Sequence, residues 1–205
     1  MTLEGSGSAA PMTSDEALML EFQGGSREAF EELFARYREP LFGFFRRRLN
    51  STERAEDLTQ ETFLAVIRAT SRYEPRALVR TYLYGIGLKL VAAERRRQVR
   101  HGIQAVVVSE PAVDAAPDIV LWVREALGKI EASEREILML REYEQLSYSE
   151  IAELLRIPLN TVRSRLFRAR LALRNHLGSQ VTCGRDLSTS EAGRARGNEA
   201  CNENE

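Results

Sequence analysis

Apolar residues recur along this chain at the three- and four-residue spacing of an α-helix, in two groups that polar segments separate. The first group spans residues 13–97 and the second spans residues 119–178. This spacing is typical of helices that bury one face. One short apolar run at residues 105–108, between the two groups, resembles a strand. The pattern predicts an all-α protein with two small helical domains joined by a flexible linker, the C-terminal one containing a helix-turn-helix.

Composition marks the limits of these two domains. Residues 1–12 are small and polar, and residues 179–205 are rich in Gly, Ser, Asn and Glu. Such segments cannot bury enough apolar surface to fold, so we expect a disordered N-terminal arm and a disordered tail. Residues 98–118 contain two prolines and no helical period, which is typical of a linker.

The first domain is predicted to contain four helices. Thr13 opens a capping box for the first helix, and the second helix begins at Ser26 and should kink or break at Pro40. Two further helices are expected at about residues 52–70 and 79–97. The residues predicted to face the core are Phe30, Leu33, Phe34, Tyr37, Leu41, Ala55, Leu58, Thr62, Phe63, Val66, Leu83, Ile86 and Leu90.

The second domain contains two short amphipathic helices around a tight turn, SYSEIAELLRIPLNTVRSRLFRARLALR, beginning at Ser147. Ser147 and Glu150 have the spacing of a capping box. Pro158 disfavours helix at the residue before it, so the first helix should end near Arg156. Asn160 is a good N-cap for the second helix. The buried stripe of that helix is predicted to be Val162, Leu166, Ala169 and Leu173.

The second of these helices carries arginines and no acidic residue away from its apolar stripe. A capped helix pair of this kind is typical of a helix-turn-helix, which places the N-terminal part of its second helix in the major groove. An arginine-rich face can also be only a solvated surface. The candidates for contact with base edges are Asn160, Thr161, Arg163 and Ser164. The candidates for phosphate contact are Arg165, Arg168 and Arg170.

Charge and hydropathy narrow the class of protein. With 205 residues and a formal net charge of −1, a DNA-binding protein must concentrate its basic residues locally. The chain has no apolar run of about 18 residues, and its N-terminus lacks a basic segment followed by an apolar one. We therefore expect a cytoplasmic protein that is neither membrane-spanning nor secreted.

The residues indicate no catalytic or metal site. Cys183 and Cys201 lie in the polar tail and do not form a CxxC pair, so we expect free thiols. His101 and His176 have no second ligand at metal-site spacing. Capping explains Ser147. We expect no enzymatic activity, no metal and no cofactor.

The third predicted helix has a polar face. Asp57, Gln60 and Glu61 are spaced i, i+3 and i+4, so they lie together opposite the apolar stripe. A charged outer face usually contacts only water, and a protein interface is the alternative.

Three motifs together resemble a known family. They are EDLTQETFLAVIR at residues 56–68, RTYLYGIGLKLVAAERRR at residues 80–97, and the helix-turn-helix sequence. In this order and at these separations they resemble the two domains, regions 2 and 4, of a bacterial extracytoplasmic-function (ECF, group IV) RNA polymerase sigma factor. The resemblance covers roughly residues 14–178. The chain has no room for the intermediate domain of the larger sigma factors.

The resemblance implies a function and partners. Asp57, Gln60 and Glu61 would bind core RNA polymerase, and the loop at residues 71–80 would capture a flipped base of the minus-ten promoter element. The fourth helix would recognise and help to melt that element, which needs groups that hold unstacked bases. The helix-turn-helix would bind the minus-thirty-five element of promoter DNA, and an anti-sigma factor would regulate the protein. The residues implied in minus-ten binding are Tyr73, Tyr82, Tyr84, Lys89, Arg95, Arg96 and Arg97.

Four positions depart from the residues that are common in the family. Tyr82 stands where relatives commonly have Trp, and Lys89 and Ala93 stand where they commonly have Asn and Asp. The promoter sequence recognised by the fourth helix therefore stays open. Arg156 stands where relatives often have Gly, and a positive φ there would cost about 1 kcal/mol.

Two other functions are compatible with these residues. An operator-binding regulator would use the helix-turn-helix while the first domain dimerises or senses a ligand, and it would bind a palindromic site without polymerase. A protein-interaction module with an incidental basic helix would lack the steep salt dependence that several phosphate contacts produce.

Overall fold

The computed structural model describes residues 13–49, 51–75, 78–100 and 117–186. Within these ranges the chain forms eight α-helices and a 3-10 helix, and it contains no strand there. The prediction of an all-α fold is confirmed. The helices are α1 (Asp15–Gln23), α2 (Arg27–Arg46), α3 (Thr52–Ala69), α4 (Val79–Arg100), α5 (Pro117–Lys129), α6 (Ala132–Glu142), α7 (Tyr148–Leu155) and α8 (Leu159–Asp186), with the 3-10 helix at Thr70–Arg72.

Helices α1 to α4 form the first domain. α2 packs against both α1 and α3, and α4 packs against α3. The centre of this bundle is formed by Leu41, Phe44 and Phe45, which are fully buried. The prediction for Phe34 is wrong, since 36% of this residue is exposed at the edge of α2. The predicted inward face of α3 is confirmed, because it is buried at Ala55, Leu58, Thr62, Phe63 and Val66.

Local signals in α1 and α2 predict the helices but not every detail. Ser14 caps α1 by accepting a hydrogen bond from the backbone amide of Ala17 at 3.2 Å. The predicted cap at Thr13 is therefore wrong by one residue, because two adjacent hydroxyls can both serve as caps. Ser26 caps α2 as predicted. Pro40 does not break α2, because it lies on the exposed side, where the missing backbone hydrogen bond leaves no buried polar group.

Helices α5 to α8 form the second domain, in which α5, α6 and α7 all pack against α8. The capping box of α7 is confirmed: the amide of Glu150 donates to Ser147 Oγ at 3.3 Å, and the amide of Ser147 donates to the Glu150 carboxylate at 2.8 Å. Arg156 ends α7 in the left-handed conformation with φ of 53°. Asn160 is not the N-cap of α8, because the carbonyl of Pro158 accepts the first helical amides and places Asn160 in the first turn.

Helices extend beyond the limits expected from composition. α4 continues to Arg100 and α5 begins at Pro117, so both ends of the predicted linker are helical. α8 continues to Asp186, so the tail predicted from residue 179 begins as helix. Extending an existing helix needs no new nucleus, which allows even polar residues to continue it. Outside the described residues lie the predicted arm at 1–12, the apolar run at 105–108, His101 and Cys201.

The two domains contact each other through α4 and α7. A Cβ atom placed on Gly85 of α4 would lie 3.5 Å from Cδ1 of Leu154 on α7. The small residue on α4 therefore brings the two helices into van der Waals contact. This packing places the helix-turn-helix directly beside α4.

Candidate nucleic-acid and protein interfaces

The polar face of α3 is organised around one arginine. Asp57 and Gln60 are exposed and Glu61 is half-buried. Arg54 Nη1 lies 3.3 Å from Asp57 Oδ2 and 3.1 Å from Glu61 Oε1. The same guanidinium also pairs with the buried Glu94 of α4 at 3.0 Å. Arg54 therefore holds the two α3 carboxylates close together and links them to α4.

A groove between α2 and α3 borders this acidic face. Its volume is about 430 Å³, and Gln60 is one of its walls. Phe34 and Phe42 supply apolar surface, and Arg38 lies among the polar groups around it. Sequence reasoning missed this groove because the helical spacing of Phe34 fits a core residue equally well. The α3 face therefore combines carboxylates with adjacent apolar surface, which suits a protein partner better than water alone.

Two of the predicted minus-ten tyrosines lie together, one after the 3-10 helix that follows α3 and the other on α4. The rings of Tyr73 and Tyr82 are 5.6 Å apart in an edge-to-face arrangement. They line a cavity of about 340 Å³ together with Arg72 and Glu74. The Tyr73 hydroxyl is buried and makes no hydrogen bond within the part of the chain that the structure describes. Burial raises the pKa of both phenols, so both remain neutral hydrogen-bond donors.

Tyr84 does not belong to this cavity. It is buried in the first domain, where its ring lies 5.3 Å from that of Phe44. Burial raises the pKa of Tyr84 strongly, with Glu144 adding to the effect. The minus-ten role of Tyr84 stays a prediction, but in this conformation its ring faces the core, because residues two apart on a helix, here Tyr82 and Tyr84, face nearly opposite sides.

The four basic residues of α4 that were predicted to bind minus-ten DNA are exposed. Lys89 is exposed beside α7, and Arg95, Arg96 and Arg97 are exposed toward the end of the helix. Three adjacent arginines around one helical turn cannot all face one side. They form a positively charged end of α4 that can hold a phosphate backbone at several angles.

The first two turns of α8 present the residues that sequence reasoning chose for base contact. Asn160, Arg163 and Ser164 are exposed, and Thr161 is half-buried. Arg163 Nη1 donates to Asn160 Oδ1 at 3.4 Å, and Ser164 Oγ donates to the carbonyl of Thr161 at 3.1 Å. These contacts are local, so they leave the polar ends available to a partner in the major groove.

The three arginines chosen for phosphate contact differ in their surroundings. Arg165 is half-buried. Arg168 pairs with Glu134 of α6, and Arg170 Nη2 lies 2.8 Å from Glu142 Oε1 of the same helix. The two carboxylates were missed because they lie far away in sequence. They hold the guanidinium groups across α6 and α8, and a phosphate must compete with them.

The described residues contain no group of three or more His, Cys, Asp or Glu that could hold a metal ion. Among the helices that the structure describes, none has the length and apolar composition needed to cross a membrane.

Comparison with known proteins identifies two matched regions in the chain. The family model Sigma-70 region 2 matches residues 33–101, and the model Sigma-70, region 4 matches residues 121–173. The RNA polymerase sigma factor CarQ of Myxococcus xanthus is 33% identical over 168 residues, covering 78% of this chain and 95% of that protein. The ECF RNA polymerase sigma-E factor of Haemophilus influenzae is 28% identical over 185 residues, covering 82% and 97%.

A solved structure shares the fold. The sigma factor RpoE from Bartonella quintana, in its complex with the anti-sigma factor NepR, gives a TM-score of 0.61 at 23% identity. The match covers 73% of this chain and 96% of that one. This likeness shows the fold. The two family models and the sequence relatives show that the chain belongs to the ECF RNA polymerase sigma factors. Members of this family are transcription initiation factors and not enzymes.

Proposed function

We propose that the protein binds core RNA polymerase, recognises the minus-ten and minus-thirty-five elements of its promoters, and promotes DNA melting as an ECF sigma factor. The observation that carries this proposal is the presence of sigma regions 2 and 4 in one chain, in family order. The region 2 match runs from within α2 through α4, and the region 4 match runs from within α5 into α8. The mechanism is noncatalytic: polymerase binding energy stabilises a melted start site.

Polymerase binding is assigned to α3. Asp57, Gln60 and Glu61 supply a polar contact that Arg54 holds in place, and the groove at Phe34 supplies apolar area beside it. A complementary surface would carry basic residues around an apolar contact. Such a surface can displace Arg54 from Asp57, because the Asp57 side chain is 53% exposed and that ion pair is solvated.

Minus-ten recognition is assigned to the cavity after α3 and to the outer face of α4. Tyr82 can stack on an unpaired base that enters the cavity, and Tyr73 packs edge-to-face against the Tyr82 ring in the same cavity wall. Lys89 and the arginines at 95–97 would hold the single strand by charge.

Minus-thirty-five recognition is assigned to α8. Asn160, Thr161, Arg163 and Ser164 would contact base edges, and Arg165, Arg168 and Arg170 would contact phosphates. The presence of sigma region 2 in the same chain favours an asymmetric promoter with two elements over a palindromic operator.

An anti-sigma factor is the proposed protein regulator, because the solved RpoE relative is bound to one. The cytoplasm is the proposed location, since a sigma factor acts where polymerase and promoter DNA are.

Binding to purified core RNA polymerase tests the proposal. The wild-type protein should bind tightly, and an Asp57→Ala, Gln60→Ala, Glu61→Ala variant should lose affinity while its circular dichroism is unchanged. A Glu28→Ala, Glu31→Ala variant is a matched control, because it removes the same two charges from exposed positions on α2. No binding by the wild type would contradict the sigma function and leave the operator-binding regulator as the better account.

A further inference from the structure

The first helix of the helix-turn-helix, α7, covers part of α4, the helix that is proposed to bind the minus-ten element. α7 packs against α4, and the two helices enclose a cleft of about 470 Å³. Tyr82 and Lys89 line it from α4, and Glu153, Leu154 and Arg156 line it from the second domain. Two of the residues assigned to minus-ten DNA, Tyr82 and Lys89, therefore border another part of the same chain.

Glu150 connects the two domains at one end of this contact. Its carboxylate closes the capping box of α7, and it also accepts two hydrogen bonds from the guanidinium of Arg80 on α4. Thr81 Oγ1 donates to the same carboxylate at 3.4 Å. Burial raises the pKa of Glu150, but the hydrogen bonds from Arg80 and Ser147 lower it further, to about 2. One carboxylate therefore caps a helix of one domain and binds a cation of the other.

A second ion cluster connects the two residues that follow α2 with the second domain. Arg47 Nη2 lies 2.9 Å from Glu144 Oε2, and Arg48 Nη1 lies 3.2 Å from Glu144 Oε1. Arg48 Nη2 also lies 2.8 Å from Glu136 Oε1 of α6. The side chains of Arg48 and Glu144 are 1% and 2% exposed, so the contact of the domains removes both charges from water.

These ion pairs form only when the two domains pack against each other, an arrangement that we call the closed state. A buried charge is tolerated when it is paired, so Glu144 and Glu150 favour the arrangement that supplies Arg47, Arg48 and Arg80. Separation of the domains hydrates all five groups, which makes the closed state reversible. A single strand that follows α4 past Tyr82 and Lys89 needs the space that α7 occupies.

We propose that the free protein holds itself closed, with α7 as an intramolecular cover on the minus-ten helix, and that the Arg80–Glu150 and Arg47/Arg48–Glu144 ion pairs form the latch. The latch must open before promoter recognition. This inference rests on the proposed sigma function, because it assigns a role to the surface that α4 is proposed to use for DNA.

The latch is tested with a Glu144→Gln, Glu150→Gln variant of the full chain. Glutamine removes the charge, keeps nearly the same shape, and still fits the capping box of α7. The matched control is Glu28→Gln, Glu31→Gln, which changes the net charge equally on the exposed part of α2. The latch variant should show a larger radius of gyration in small-angle X-ray scattering than the wild type and the control. It should also bind a single-stranded minus-ten oligonucleotide at least fivefold more tightly.

A cross-linked form keeps the inference testable if the latch variant fails to fold. Gly85→Cys and Leu154→Cys, with Cys183→Ser and Cys201→Ser, place two thiols across the α4–α7 contact. A short bismaleimide should join them in the free protein, and the joined protein should lose oligonucleotide binding relative to the same variant before cross-linking. Failure of the thiols to react together, or unchanged DNA binding by the joined form, would overturn the closed state.

Polymerase binding separates the two proposals. If the wild type binds core polymerase but the latch variant and control have the same radius and the same affinity for the oligonucleotide, the latch is refuted and the sigma function stands. If the wild type does not bind polymerase, the sigma function itself fails.

Discussion

Replacement of Glu150 by alanine removes two interactions at once, and their sizes follow from the geometry. The Glu150 side chain is 8% exposed, accepts the amide of Ser147 at 2.8 Å, and pairs with Arg80. Loss of a helix-capping contact costs about 1 kcal/mol. Removal of one partner from a fully buried ion pair costs about 3–5 kcal/mol.

The exposure of Arg80 reduces the free-energy cost that we expect from loss of the ion pair. Its side chain is 36% exposed, so water can solvate the guanidinium after the carboxylate is removed. We therefore take about 1–2 kcal/mol for the pair, between the values for surface and buried pairs. With the cap, Glu150→Ala should lower the free energy of unfolding by about 2–3 kcal/mol.

Urea unfolding followed by circular dichroism measures this loss, with Glu150→Gln as the comparison. Glutamine keeps the capping box but not the charge, so it should cost only about 1–2 kcal/mol. If both variants lie within about 0.5 kcal/mol of the wild type, neither contact stabilises the fold and the reasoning is refuted. Equal large losses would instead show that the cap contributes nothing.

Three further predictions concern single positions. Since the pKa of Glu150 is about 2 in the folded protein and 4.5 for the free side chain, its charge stabilises the fold fully above pH 4.5 and less as the pH falls toward 2. The difference in unfolding free energy between wild type and Glu150→Gln should shrink over that window, and a constant difference would contradict the assignment. Arg156→Gly should raise the free energy of unfolding by up to about 1 kcal/mol in the same urea assay, because φ is 53° there. A destabilised variant would contradict this, since it would show that contacts of the Arg156 side chain outweigh the backbone strain. Tyr82→Ala should weaken binding of a minus-ten single strand by about 5- to 100-fold in a fluorescence anisotropy titration, whereas Tyr82→Phe keeps the stacking surface and should bind nearly as well as wild type. Equal binding by Tyr82→Ala and wild type would remove Tyr82 from the site.

Residue patterns along the chain predicted the presence of each helix more accurately than they predicted its first and last residues. Ser147 and Glu150 define the start of α7 because both halves of the capping box lie within three residues. The cap of α1 and the first turn of α8 were misplaced because neighbouring polar residues compete for one role. Thr13 and Ser14 are equally good caps, and packing of the helix decides between them. Asn160 does not cap α8, because the backbone carbonyl of Pro158 in the preceding turn accepts the first helical amides.

The candidate site was predictable where function depends on one helix face. Asp57, Gln60 and Glu61 share a face by spacing alone, and the structure keeps them together. Among the tyrosines, spacing already separates Tyr82 from Tyr84, since two residues turn a helix by about 200°. Which of the two faces the core depends on Phe44, and no local signal identifies that contact.

The helices and the capped helix-turn-helix could be predicted from the amino-acid sequence, because each depends on residues close together along the chain, and the family could be predicted from the order of three such motifs. The packing of the two domains against each other is visible only in the folded protein. Arg80 and Glu150 are 70 positions apart, and Arg47 and Glu144 are 97 positions apart. The strength of an ion pair depends on the distance between the charges and on exclusion of water. Separation along the sequence does not show which acidic and basic residues will be close in space. The fold alone selects which of the many arginines meets which carboxylate.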